Sequence, residues 1–336
     1  MNIDRARFVA GAAAAFAASV ASPARAASPS FHFKIGHNTP EGQAHSVRVK
    51  QMAAEIARET NGRLTIDVFG GATLGTDTAM LSQTRAGALQ IVLTAGAYLG
   101  AIAPTVQIDS VPFAFGSADD AVHAFDGDLG SLVRADIRER SGLVPLPGTW
   151  DTGFRQIASA SKPIRDPNDL DGFKIRIPPA KIFVDTFKSL GAAPVSLNFS
   201  ELYVAAETHL VDGLESPLDF IEYSRFFEVT KYLSVTNHMW NTRWMLVNAD
   251  AWNGLPPDLQ AALARGSAKY ASLAHRDTQA LNTVLLDKLR RRGMTVNTTS
   301  RDAFKKKLGP AFYARWQDAF GTKAWALLQR ATGPLA

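Results

Sequence analysis

The chain has 336 residues, a formal net charge of +5 and no cysteine. The absence of cysteine excludes disulfides, thiol nucleophiles and thiolate metal sites. A chain of this length can bury a substantial core in about two domains, so it needs no covalent crosslinks. The basic excess is mild and does not alternate with aromatic residues over a face, which argues against nucleic-acid binding.

Residues 1–26 have the pattern of an export signal. Arg5 and Arg7 precede a small-residue apolar stretch, 8–20, that is too short to span a bilayer. An A-x-A pattern ends at Ala26, so we expect cleavage at that point and export of the remainder. A retained amphipathic or membrane helix is the alternative.

The early part of the exported chain predicts alternating strands and helices. Residues 31–35 and 64–68 alternate in polarity as strands do, and Thr39-Pro40 predicts the N-cap and first turn of a helix between them. A strand, helix and strand in this order predict parallel pairing with a right-handed crossover. The elements predicted next are helix 77–85, buried strand 89–94, helix 118–140 and strand 143–146.

The second half of the chain also predicts a succession of strands and helices. In a predicted strand over 173–177, alternation turns the apolar residues inward and Arg176 to the other face, before two prolines end the strand. Asn198 and Glu201 have capping-box spacing ahead of a helix. The other elements predicted here are strand 154–159, helices 182–190 and 218–227, strands 233–235 and 244–247, and a long helix over 256–289.

Several ordered sequence blocks in this half resemble a known family. The run D-L-x-G-x-K-x-R-x-P over 169–178 is followed by Gly191-Ala192, by F-x-E-L-Y over 199–203, and by V-D-G-x-E-x-P over 211–217. At these spacings the chain resembles the solute-binding subunit of tripartite ATP-independent periplasmic (TRAP) transporters. The resemblance extends over nearly all of the exported chain.

The resemblance implies an α/β, two-lobed periplasmic solute-binding protein fold with a long helix spanning both domains. On this basis domain I comprises residues 27–152 plus about 242–283, and domain II comprises residues 153–241 plus about 284–336. The implied protein is periplasmic and not an enzyme. We expect a monomer without cofactor or metal, which binds a small organic anion and delivers it to integral membrane TRAP transporter subunits.

Arg176 is the first candidate for binding that anion. A guanidinium group matches a carboxylate with two parallel hydrogen bonds and stays charged at all working pH values. The resemblance implies the same role, because the arginine of the K-x-R-x-P strand holds the ligand carboxylate in this family. A structural salt bridge from Arg176 to Glu215 or Asp151 is the alternative. Arg155 occupies the place of a second family arginine that commonly faces the ligand.

Further ligand contacts are expected from both domains. Ser216 stands where many relatives carry an asparagine that donates to the ligand, so a water or a bulkier ligand must fill the gap. His37 and Asn38 follow the first strand, at the carboxyl edge where α/β proteins bind ligands. Trp150 or Trp240 is expected in the wall of the cleft, although such aromatic residues are more often core.

The sequence does not decide which carboxylate is the ligand. A sugar acid or an aromatic or 2-oxo monocarboxylate is expected, with a slight preference against small dicarboxylates. Two other classes of function compete with solute binding: an exported α/β hydrolase or isomerase, and a ligand-sensing module for a membrane receptor. The sequence contains neither H-E-x-x-H nor G-x-S-x-G, so motif evidence for catalysis is poor.

Overall fold

The computed structural model describes residues 30–335, so the predicted export signal lies outside the described residues. Within them, ten strands form one mixed sheet. Its path is β2-β1-β3-β9-β5-β8-β6-β7, and β4 and β10 both pair with β9. The strands are β1 (Phe31–His37), β2 (Leu64–Phe69), β3 (Ile91–Ala95), β4 (Leu143–Pro145), β5 (Trp150–Ser159), β6 (Lys174–Ile177), β7 (Ala193–Ser196), β8 (Gly213–Pro217), β9 (Tyr232–Asn248) and β10 (Thr295–Thr298).

Helices cover both faces of this sheet. Among residues 30–335, none of them is long and apolar enough to cross a membrane. The α-helices are α1 (Ala44–Glu59), α2 (Asp77–Arg85), α3 (Ala118–Asp126), α4 (Asp128–Ser141), α5 (Lys181–Ser189), α6 (Leu202–Glu207), α7 (Leu218–Tyr223), α8 (Ala249–Asn253), α9 (Pro257–Arg291), α10 (Arg301–Leu308) and α11 (Pro310–Thr332).

The first strand, helix and strand form the predicted unit, since β1 and β2 pair in parallel. The predicted start of the helix was wrong, because α1 begins at Ala44 and not at Thr39-Pro40. Gly42 has a φ of 80°, in the left-handed region, so the chain cannot be helical through this point. Thr39 and Pro40 therefore belong to the loop that follows β1.

Two other element boundaries differ from prediction. The helix expected over 118–140 is divided at Gly127, whose ψ of −146° is not helical. The two strands expected at 233–235 and 244–247 are parts of one strand, β9, which bends at Asn237 with a φ of 43°. Sequence periodicity is lost here because polar residues on both sides of Asn237, among them Thr236 and His238, are buried. At the half-buried Asn237, the main-chain amide donates to the Gln156 side chain on β5 at 3.0 Å.

The long helix α9 lies against two separate parts of the core. Its first half packs with Ile35, Ile91 and Trp150. Its last turns place Leu285 and Leu289 in a second cluster near β8 and α7. This arrangement agrees with the expected helix that spans both domains, whereas the predicted domain boundaries themselves stay a prediction.

The strand that carries Arg176 has the predicted alternation. Ile175 and Ile177 are buried in the core, and Lys174 is exposed. Arg176 is also buried, but on the face of the sheet opposite the two isoleucines. Parallel pairing to β7 and β8 fixes this strand on both sides, which makes Arg176 a rigidly mounted cation.

Candidate functional site

A cleft with a cavity volume of about 30 Å³ lies where several strands end. Asn38 follows β1, Ala95 ends β3 and Pro178 follows β6, so this is the carboxyl edge at which α/β proteins bind ligands. The residues that line the cleft include three arginines and no acidic side chain. They are Asn38, Ala95, Tyr98, Thr152, Arg155, Arg176, Pro178, Phe199, Ser216, Pro217, Phe220, Asn241 and Arg243.

Arg176 is 1% exposed and is held by main-chain oxygen. Its Nε and Nη2 both donate to the Leu197 carbonyl, at 3.0 and 2.7 Å. The guanidinium carbon lies 5.9 Å from the centre of the Phe199 ring. Among residues 30–335, no Asp or Glu oxygen comes within 4.0 Å of Arg176, so the alternative salt bridge to Glu215 or Asp151 does not form. The structure orients this cation without neutralising it.

Arg155, and not Arg176, forms the buried salt bridge with Glu215. Its Nε and Nη2 donate to the two carboxylate oxygens of Glu215, the latter at 2.8 Å, and Nη2 also reaches the Glu215 carbonyl at 3.0 Å. Burial acts to raise the pKa of Glu215, but the charge of Arg155 and a hydrogen bond from His238 outweigh it and lower that pKa. Glu215 is therefore ionised, and the pair is neutral as a whole.

The rest of the Arg155 guanidinium still faces the cleft. Nη1 lies 3.4 Å from the Asn241 side-chain oxygen, and the guanidinium carbon is 5.3 Å from the centre of the Phe183 ring. Arg155 can therefore donate hydrogen bonds in the cleft while Glu215 balances its charge. The structure places Arg155 at the cleft, whereas its acidic partner, Glu215, was not predicted from the sequence.

A third arginine, Arg243, enters the cleft from β9 and was missed by the sequence analysis. Nη2 donates to Asn38 Oδ1 at 2.7 Å and to the Leu93 carbonyl at 2.9 Å. Among the described residues, its buried Nε has no hydrogen-bond partner. Alternation along β9 puts Asn241 and Arg243 on the cleft face together. This signal was available in the sequence, but the prediction broke the strand before residue 244.

Asn38 and Ser216 line the cleft, as the sequence analysis expected. Asn38 links two charges, because it accepts from Arg243 and donates from Nδ2 to Asp77 at 2.7 Å. Asp77 is buried behind it, and burial raises the pKa of this carboxyl although the Arg243 charge opposes the shift. Ser216 is 1% exposed and lies on β8 between the strands of Arg155 and Arg176.

The two tryptophans expected in the cleft wall lie in the core instead. Trp240 packs against Phe115 and Phe125, and its Nε1 donates to Asp151 at 2.5 Å. Trp150 packs in the cluster beneath α9 and donates to Ser267 Oγ at 3.4 Å. For Trp240 the reason is strand alternation, since its neighbour Asn241 is the one that faces the cleft.

His37 also lies outside the cleft. It is fully buried at the end of β1, where its Cε1 would be 2.9 Å from a Cβ on Gly70. Burial, with the nearby charge of Arg243, lowers the pKa of His37 to about 3, so the ring is neutral. The next residue, Asn38, makes the cleft contact that the sequence assigned to the pair. In the described part of the chain, no group of three His, Asp or Glu side chains is placed to hold a metal.

The family model for bacterial extracellular solute-binding proteins of family 7 matches residues 35–318. The chain belongs to this family. The match confirms the resemblance to TRAP solute-binding subunits that the blocks around Arg176 carry.

Two relatives of this family 7 protein differ in length. The chain is 36% identical over 284 residues to the uncharacterized protein y4mM of Sinorhizobium fredii. This alignment covers 83% of the chain but only 51% of the relative, so the chain spans about half the relative's length. The chain is also 28% identical over 309 residues to the 2,3-diketo-L-gulonate-binding periplasmic protein of Escherichia coli. That alignment covers 92% of the chain and 91% of the relative.

Solved structures confirm the expected fold of the family 7 protein. A TRAP periplasmic solute-binding protein from a Polaromonas species, bound to D-erythronate, superposes with a TM-score of 0.85 at 26% identity. The alignment covers 89% of this chain and 98% of that protein. The α/β, two-lobed architecture implied by the sequence blocks is therefore correct.

Proposed function

We propose that this family 7 protein captures a small organic acid in the periplasm and delivers it to the membrane subunits of a TRAP transporter. The observation that carries the proposal is Arg176, a buried cation that is oriented by the Leu197 carbonyl and has no acidic partner within the described residues. A buried charge without a partner is costly, and a ligand carboxylate supplies that partner. Guanidinium and carboxylate also match in shape, which adds direction to the attraction.

The remaining lining groups favour a ligand with hydroxyl or carbonyl groups beyond its carboxylate. Tyr98, Thr152, Ser216 and Asn241 contribute hydroxyl and amide groups to the cleft, and Phe199 and Phe220 supply apolar surface. A sugar acid fits this mixture, as does a 2-oxo or aromatic acid. The ligands of similar proteins support this class of ligand, since they include D-erythronate, β-D-glucuronate and 2,3-diketo-L-gulonate.

The proposal includes export and binding without turnover. The segment 1–26 would direct the chain to the periplasm and be removed after Ala26. The two domains would meet at β5 and β9, because β9 pairs with β3 from Arg243 onward while β5 pairs with β8 from Arg155 onward. Closure of the domains over the ligand would exclude water and strengthen the arginine contacts. The monomeric state stays a prediction.

A thermal-shift screen of the protein starting at Ala27 tests the proposal. The panel contains sugar acids, dicarboxylates, and aromatic and 2-oxo acids, with the neutral sugar of each sugar acid as its control. A ligand at 100 times its Kd stabilises the protein by about 2.7 kcal/mol, or a few degrees for a chain of this size. Shifts by acids but not by neutral sugars support the proposal. A folded protein that no organic acid stabilises would refute it, and product formation from a bound acid would favour the enzyme alternative.

A further inference from the structure

We infer that Gln43 and Asp219 form a latch across the cleft, which stabilises the closed protein without touching the ligand and couples ligand capture to the uptake of a proton. This inference rests on the proposed function, since it concerns closure of the same cleft. It assigns a positioning role to two residues that do not line the cleft.

Gln43 and Asp219 come from opposite sides of the sheet. Gln43 lies in the loop between β1 and α1, and Asp219 lies in the first turn of α7, directly after β8. In the sheet, β1 and β8 are separated by β3 and by β9 and β5, the two strands at which we expect the domains to meet. Gln43 Nε2 donates to Asp219 Oδ2 at 2.5 Å, and both side chains are at most 1% exposed.

Helix α7 meets the predicted domain I at two further points. The Phe220 ring lies 5.6 Å from the guanidinium carbon of Arg243. The Tyr223 ring packs on the loop that carries Gln43, where a Cβ on Gly42 would be 3.6 Å from Tyr223 Cε1. Phe220 also lines the cleft, so the contacts of α7 close one of its walls.

The cavity is too small to admit a ligand without movement. Its volume of about 30 Å³ accommodates only a few water molecules. A small organic acid therefore enters only when the walls of the cleft separate, and this separation breaks the hydrogen bond between Gln43 and Asp219. Contacts made only in the closed protein raise the affinity for every ligand, because they increase the fraction of protein that is competent to hold one.

Closure also favours the protonated form of Asp219. Its hydrogen-bond donors are the uncharged Gln43 amide and the Phe220 main chain, and among residues 30–335 no Lys, Arg or His nitrogen lies within 4.0 Å of it. Burial is the main cause that raises the pKa of Asp219 to about 7; the charge of Asp151 adds to this effect and that of Arg243 opposes it. In the open protein the carboxyl meets water and regains an ordinary pKa of about 4, so closure between these two pH values takes up a proton.

Other titratable groups also lie close to α7 and its loop. Glu222, one turn further along the helix, pairs with Lys288 of α9 at 2.9 Å. His37 and His45 lie near the charge of Arg243, and burial lowers their pKa values to about 3. All of these groups remain in the variants below, so a comparison with the wild type isolates the latch.

Isothermal titration calorimetry with the two acids that stabilise the wild-type protein most in the screen tests the latch. In Gln43→Met, which has a similar size but cannot donate to Asp219, affinity should fall about five- to a hundredfold for both acids alike. Gln260→Met is the matched control, because Gln260 is a half-buried glutamine that donates to the Trp252 carbonyl away from the cleft. It should leave both affinities within about twofold of wild type.

Calorimetry in buffers of different ionisation enthalpy measures the proton taken up on binding. At pH 6 the wild-type protein should take up about one proton, and its Kd should rise by up to about tenfold per pH unit between pH 5 and 7. In Asp219→Asn the amide replaces the protonated carboxyl, so uptake should vanish and Kd should be nearly constant over this range. A purely structural role for Asp219 would not change the number of protons taken up.

Each other outcome decides against a particular claim. Melting temperatures without ligand show whether the variants are folded. If folded Gln43→Met binds both acids as the wild type does, there is no latch, and if it loses only one of them, Gln43 contacts the ligand instead. Proton uptake that is absent from the wild type, or equal in Asp219→Asn, also overturns the inference while the proposed function stands, and this test decides alone if Gln43→Met does not fold. A wild-type protein that binds no acid in the screen refutes the proposed function itself.

Discussion

Glu215 binds Arg155 through both of its carboxylate oxygens, so this arginine reaches the cleft with its charge already balanced. The two residues are 60 positions apart and meet because β5 and β8 are antiparallel neighbours. Arg176, two strands away from Arg155 in the same sheet, is oriented by a carbonyl group instead. The charge of Arg155 is therefore balanced within the protein, and Arg176 is the residue that we propose to bind the anion.

Glu215→Gln should therefore destabilise the protein strongly. The change leaves Arg155 as a buried charge without a counter-ion, and breaking such a pair costs about 3–5 kcal/mol. The free energy of unfolding from urea titration measures the loss. Glu228→Gln is the control, since Glu228 pairs with the exposed Arg225 and its loss should cost much less stability. Equal losses in the two variants would contradict a structural role for the buried pair.

Arg176→Ala should abolish tight ligand binding while the protein remains folded. Loss of a buried charge partner costs about 2–5 kcal/mol, which is roughly 30-fold to several thousand-fold in affinity. Calorimetry with the acid identified in the screen measures the change, and circular dichroism checks the fold. Lys174→Ala is the matched control, because Lys174 is on the same strand but exposed. Wild-type affinity in a folded Arg176→Ala protein would exclude the proposed contact.

Trp240→Phe should lower stability and leave affinity nearly unchanged. The indole packs against Phe115 and Phe125 and donates to the buried Asp151, so the variant loses packing and one hydrogen bond to a carboxylate. We expect a loss of about 2–4 kcal/mol in the free energy of unfolding. The Kd for the bound acid should change less than about threefold. A large change in Kd with unchanged stability would place Trp240 in the cleft wall after all.

Asp219→Asn should change how stability depends on pH. Burial raises the pKa of Asp219 from 3.8 to about 7, so the folded protein retains a proton there that the unfolded chain releases above pH 4. Wild-type stability from this group is therefore complete below pH 4 and is lost as the pH rises to 7. The amide of Asp219→Asn does not titrate, so the variant does not lose this stability as the pH rises. Its stability relative to wild type should rise between pH 4 and 7 and level off above that.

Melting temperatures of both proteins across pH 4 to 8 measure this difference. His37 and His45, whose pKa values burial lowers to about 3, make the opposite contribution in the same range, but they are present in both proteins and cancel in the comparison. The amide can also donate to Gln43, whose buried Oε1 has no partner among the described residues. A stability difference that does not vary with pH would show that Asp219 does not titrate in this range.

The sequence by itself determined the architecture and identified the first candidate for ligand binding, Arg176. Alternation and capping patterns predicted the parallel unit of β1 and β2 and the end of the arginine strand at Pro178. The ordered blocks around Arg176 predicted the family. These features could be recognised because they depend on neighbouring residues or on fixed spacings within one stretch of chain.

Only the tertiary structure decided how the charges of the cleft are arranged. Arg155 and Glu215 pair across 60 residues, and Arg243 and Asn38 across 205, so their contacts depend on strand order and register. The two strands predicted here form one strand, β9, with a bend at Asn237, and this continuous strand brings Arg243 to the cleft. Local periodicity carries no information about such partners, because each is selected by the packing of distant strands into one sheet.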